Sequence, residues 1–245
     1  MENDICKILV NAAVYAPLAA AAGLAVFFPF FGNRGAKALG LLASAASFAA
    51  AAFLWWSFAG FASSGMAFSS APTLGVVPLP AFGLNAISMP MFALAAIVGF
   101  AASLWAARAD IAQAKLYFLL MLIMQCGLMG AFASTNVLWM YMFHEFALVP
   151  TFVATILWGG AGKRAAAMQM AVYLTLGALV SLVGIIALYA QLNADDFSLV
   201  SLALALAKNP LSAKWQTATL RLGRLALQEL LGHQRLQQRL YVHLL

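Results

Sequence analysis

The chain has 245 residues, 65% of them hydrophobic and only 8% charged, and its 13 Lys and Arg against 7 Asp and Glu leave a formal charge of +6. A soluble globular domain carries about 25% charged residues, so a water-soluble enzyme is excluded, and the mean hydropathy of +0.94 is that of a polytopic membrane protein. Nothing in the charge pattern points to nucleic acid; the lipid bilayer is the first partner.

Apolar stretches close to the ~20 residues needed to cross the hydrocarbon run over 8–31, 38–61, 86–107, 116–136, 137–158 and 167–191. They are continuously apolar and lack the alternation of barrel strands. The expected fold is therefore an all-α membrane bundle of about six transmembrane helices. Glu2 and Asp4 stand where a secretory signal carries basic residues, and the first apolar stretch runs on to Phe31, so it is expected to remain as a span. Arg34 and Lys37 follow span one, Arg108 and Lys115 span three, and Lys163 and Arg164 span five, while the alternate loops lack basic residues up to span six. The positive-inside rule then places those three loops in the cytoplasm and the N-terminus outside.

Residues 1–83 hold two Ala-rich spans and an uncharged outer loop punctuated by Ser, Gly and Pro, from which little function is legible. At Leu84 the texture changes to polar-spotted helices with short connections. Ser134-Thr135-Asn136 is a tight turn that forces spans four and five into an antiparallel pair. The turn Gly159-Gly160-Ala161-Gly162-Lys163-Arg164 has the Gly-Lys of a phosphate-binding loop, but Leu157 stands where a Gly is required and Arg164 where a Ser or Thr is. A basic interhelical turn at the lipid surface accounts for it. In span six, Gly177, Ser181 and Gly184 give a small-residue face for close helix approach. Gln169 and Tyr173, four apart, share a face that either packs or holds water. Cys6 and Cys126 are far apart with no neighbouring ligand, and His233 and His243 lie in the tail, so no disulfide framework, metal cluster or haem pair is expected.

Glu145 is the only acidic side chain inside any of the apolar stretches. Holding it ionised at bilayer depth costs about 2.5 kcal/mol or more, which makes an intramembrane acid a functional candidate. Pro150 removes the donor to the Phe146 carbonyl, so the helix is expected to loosen within a turn of the carboxylate and to leave an acceptor that can hold water. Dehydration and a nearby cation would push the acid in opposite directions, the balance a proton relay needs. The other reading is a static fastener between helices. His144 points about 100° away on a helix and is expected to pack or to support the acid indirectly.

Together, Leu84-Asn85-Ala86-Ile87-Ser88, the run from Leu138 to Pro150, Trp158-Gly159-Gly160 with Arg164-Ala165-Ala166, and Tyr173-Leu174-Thr175-Leu176-Gly177 resemble the antiporter-like membrane subunits of proton-pumping NADH:quinone oxidoreductase, respiratory complex I, and most closely subunit M. The family's Phe-Trp-Glu is here Phe143-His144-Glu145, and its Asp-Gly is here Asn85-Ala86. The resemblance implies that 84–215 is part of a proton-translocation module in which Glu145 belongs to a charged axis and pairs with a lysine of a seventh helix. It implies other complex I membrane subunits as partners, and NADH and quinone as used by the complex with no cofactor held on this chain. It also implies location in a bacterial inner membrane or an energy-transducing organelle membrane.

Family members are roughly twice as long. From about Gln216 the tail, 216–245, repeats Leu, Arg and Gln, with Arg221, Arg224, Arg235 and Arg239, where the family has a broken helix carrying that lysine. The expectation is a truncated or frame-shifted form of a longer subunit, with a basic interfacial helix as the other reading. Two further functions compete: a subunit of a multisubunit cation/proton antiporter or membrane-bound hydrogenase, and a non-pumping membrane scaffold.

Overall fold

The computed structural model describes residues 2–27, 32–58, 67–70, 73–74, 77–78, 80–192 and 198–208. The tail 216–245, with its arginines and both its histidines, lies outside them. Among the described residues, six helices are long and apolar enough to cross a membrane: α1 (Glu2–Val26), α2 (Asn33–Ser57), α3 (Ser88–Arg108), α4 (Ala114–Ala133), α5 (Val137–Trp158) and α6 (Lys163–Leu192). Each expected span is present. A helix satisfies its backbone within the segment, which is what an apolar stretch in lipid demands. A short helix α7 (Leu199–Lys208) follows.

Strands, which the apolar pattern did not suggest, occur in the loop between α2 and α3. β1 (Ala67–Ser70) pairs antiparallel with β4 (Phe82–Leu84), and β2 (Thr73–Leu74) with β3 (Val77–Pro78). They are too short to span a bilayer. β4 is nonetheless part of the core, since Phe82 and Leu84 are fully buried. Phe82 packs edge-on against Tyr15 of α1 at 5.5 Å and against Phe143 of α5 at 5.6 Å between ring centroids. The backbone N–H and hydroxyl of Thr135 both donate to the Ala81 carbonyl at 3.0 Å. The loop thus closes one end of the bundle.

Helices α1 to α4 form the packed centre, α5 lies along α4, and α6 touches α5 with little more than Ala167 and Ala178 buried. The expected antiparallel pairing of spans four and five is the most extensive contact in the molecule. Asn136 caps α5, its side-chain oxygen accepting from the N–H of Leu138 at 2.9 Å and of Trp139 at 3.4 Å. At the opposite end, Lys37 Nζ donates to the Ala109 carbonyl at 2.8 Å and the Trp158 indole N–H to the Ala112 carbonyl at 2.9 Å. Trp55, Trp56 and Trp139 lie near helix termini at one end and Trp105 and Trp158 near the other, the placement of interfacial aromatic belts. The turn before α6 has Gly162 at φ +78°, a left-handed conformation that suits glycine, and helices on both sides. A phosphate-binding loop would follow a strand.

Candidate functional site

Glu145 sits within α5 and lines a groove that α5 shares with α4. Two glycines of α4 bring the helices together: a Cβ on Gly127 would stand 2.7 Å from the Ala147 nitrogen and 2.8 Å from the Phe143 carbonyl, and one on Gly130 would collide with the Phe143 ring. Neither side chain would be tolerated without moving α5. The close approach leaves a cavity of about 390 Å3, walled by Leu120 and Ile123 of α4 and by Met142, Phe146, Val149 and Pro150 of α5, into which Glu145 is set.

The Glu145 side chain is 33% exposed, yet its Oε1 is buried and has no hydrogen-bond partner. His144 is close by, its Nδ1 lying 3.9 Å from Oε1. That distance is an electrostatic contact, too long for a hydrogen bond. Tyr141, one turn earlier on the same face, also interacts with the carboxylate. Among the described residues no lysine or arginine pairs with it. A carboxylate in apolar surroundings must hold a proton, bind water or meet a cation, and this geometry leaves room for each.

The supporting residues expected from sequence divide. Pro150 lines the cavity, but the expected loosening does not interrupt α5, which runs unbroken to Trp158. The Thr151 hydroxyl donates to the Ala147 carbonyl at 2.7 Å and lies 3.2 Å from Met124 Sδ, and Thr155 donates to the Thr151 carbonyl at 2.9 Å. These bonds hold the turn after the proline. His144 is beside the acid but is no packing residue, its side chain being 54% exposed. Gln169 and Tyr173 are exposed on α6 and are not among the residues lining the Glu145 cavity. Nor does the small-residue face of α6 pack against other described residues: a Cβ on Gly177 or Gly184 would meet nothing within 4 Å among them. One face of an isolated helix cannot tell which neighbour it serves.

Sequence reasoning missed a polar cluster in the packed centre. Ser44 of α2 donates to Gln125 Oε1 of α4 at 2.9 Å and lies 2.8 Å from the Ser103 hydroxyl of α3. Since Ser44 has one proton, Ser103 must donate to it. All three side chains are buried. Gln125, a lone amide amid apolar neighbours, was the available signal. Tyr141, four residues before Glu145, was another.

Residues 134–227, a segment that includes Glu145, match the family described as NADH:quinone oxidoreductase/Mrp antiporter, TM. Over part of its length the chain is thus similar to antiporter-like subunits of respiratory membrane complexes. The chain is 33% identical over 121 residues to NAD(P)H-quinone oxidoreductase chain 4 of Gloeobacter violaceus, covering 49% of the chain but 23% of that relative. It resembles a chain of respiratory complex I from Thermus thermophilus, solved with bound NADH, at a TM-score of 0.60 and 27% identity, over 78% of its own length and 38% of that chain. A chain of the membrane-bound sulfane sulfur reductase, an archaeal respiratory complex, has the same fold at a TM-score of 0.62 and 20% identity, covering 76% and 28% respectively. The chain thus spans well under half the length of each.

Proposed function

We propose that this chain is a membrane-arm subunit of a proton-translocating NADH:quinone oxidoreductase, and that Glu145 is its proton-carrying group. One observation carries the reading: an unpartnered, buried carboxylate oxygen set into an apolar cavity between α4 and α5. An acid that only fastened helices would have a donor on the neighbouring helix, because an unsatisfied group costs more than the bond returns. Here the helices are fastened by Gly127 and Gly130 instead.

Tyr141 and His144 flank the carboxylate and are placed to shape its field, and Pro150 deprives the Phe146 carbonyl of its helical donor, leaving a second acceptor on a cavity-lining residue. Among the described residues no cation supplies the remaining counter-charge, and on this reading the chain translocates protons within the assembled complex and not alone. NADH and quinone are used by other subunits of the complex. The chain works among the other membrane subunits in a bacterial plasma membrane or an energy-transducing organelle membrane.

The test is Glu145→Gln in the assembled complex, with proton uptake into vesicles and NADH oxidation measured together. Lost pumping with intact assembly is expected. Pumping at the original rate would overturn the relay, and lost assembly would favour a fastening role. Liposomes holding the purified chain alone should show no proton flux that Glu145→Gln abolishes. A second reading, a subunit of a cation/proton antiporter, is favoured by the description of the matching family, which names both. Encoded neighbours that bind NADH and iron–sulfur clusters separate the two.

A further inference from the structure

Because successive helices run in opposite directions, the ends of α1, α3 and α5 and the starts of α2, α4 and α6 share one end of the bundle. That end carries Arg34, Lys37, Arg108, Lys115, Lys163 and Arg164, against a single described acid, Asp110. The lysines with assigned partners turn inward: Lys37 Nζ reaches the Ala109 carbonyl just past α3, and Lys163 Nζ reaches the Leu157 carbonyl of α5 at 2.9 Å. Both neutralise the negative ends of helices. The arginines do not. Arg34, Arg108 and Arg164 are exposed and make no hydrogen bond or ion pair among the described residues, and the exposed Asp110 pairs with none of them.

The chain therefore leaves its own positive field standing. None of α2, α4 and α6 has an acidic residue in its first turn to offset it. The depth of these charges is marked by Trp105, 65% exposed and one turn before Arg108, since an exposed indole at a helix end lies at headgroup level. The Lys37 bond to Ala109 holds the start of α2 against the end of α3, so Arg34 and Arg108 flank one corner of this face. Two guanidinium groups at headgroup depth, with no internal counter-ion, complement phosphodiester oxygens.

We infer that this face docks anionic phospholipid headgroups, with Arg34 and Arg108 as the principal contacts. The inference is independent of Glu145 and of any pumping role.

The full chain is extracted from vesicles of equal phosphatidylglycerol and phosphatidylcholine, and the retained lipids are counted by native mass spectrometry. Phosphatidylglycerol should be enriched, and the double variant Arg34→Gln/Arg108→Gln should lower that enrichment by roughly five-fold per arginine. Arg34→Lys/Arg108→Lys should keep most of it. Equal retention of both lipids by the native chain, or undiminished enrichment in the glutamine variant, overturns the inference. So does displacement of the lipid by inorganic phosphate beyond that caused by chloride of equal ionic strength, which would mark a free-phosphate site. If the glutamine variant fails to fold, the native chain decides: enrichment should fall at high ionic strength, and salt-independent retention counts against docking.

Discussion

Gly127 of α4 and Ala147 of α5 are so close that a Cβ on the glycine would stand 2.7 Å from the alanine nitrogen. Ala147 is two residues beyond Glu145, so this contact sets how far the carboxylate lies from α4 and how wide its cavity is. In lipid there is no hydrophobic drive between helices, and small residues that admit close backbones replace it.

Gly127→Ala should accordingly destabilise the chain by about 1–3 kcal/mol, the usual cost of overpacking. The same change at Gly177, where an added Cβ meets nothing within 4 Å, should not destabilise it. Unfolding of both variants in matched detergent micelles checks this, and equal effects would mean that α4 and α5 are not in close contact.

Ser44→Ala removes the centre of the Ser103–Ser44–Gln125 chain and leaves the Gln125 carbonyl oxygen without its donor. Interhelical hydrogen bonds in membranes are worth about 0.6 kcal/mol each on average, and the stranded acceptor adds a desolvation cost, for a loss of roughly 1–2 kcal/mol. Ser47→Ala breaks only the bond to the Ala13 carbonyl and should cost about half as much. Equilibrium unfolding of the two variants gives the comparison.

Phe82→Ala should cost about 3 kcal/mol or more, because the ring is fully buried between Tyr15 and Phe143. Ile87→Ala, five residues later but 81% exposed, should be nearly silent. Thermal melting of each purified variant is the measurement. A silent Phe82→Ala would mean that the loop does not close this end of the bundle.

Much of the architecture is legible in the amino-acid sequence. The six spans follow from unbroken apolar runs, since a backbone in lipid has few ways to satisfy its hydrogen bonds. The α4–α5 hairpin follows from a three-residue turn. Glu145 stood out for the same reason, being an acid where the solvent tolerates none. Hydropathy is a one-dimensional property, and these are one-dimensional conclusions.

What lies beside what was not legible. Gln169 and Tyr173 share a helical face as expected, yet α6 turns that face outward, because rotation about a helix axis is set by its neighbours and not by its own periodicity. Phe82 sits in a segment that reads as an outer loop and becomes core only when β4 lies across α1, α4 and α5. Gln125 became informative when α2 and α3 brought Ser44 and Ser103 to it. The residues alone determined that this chain crosses a membrane with one acid inside. Only tertiary packing decided that the acid lines a groove with an oxygen left unpaired, because partners and distances arise when separate helices meet.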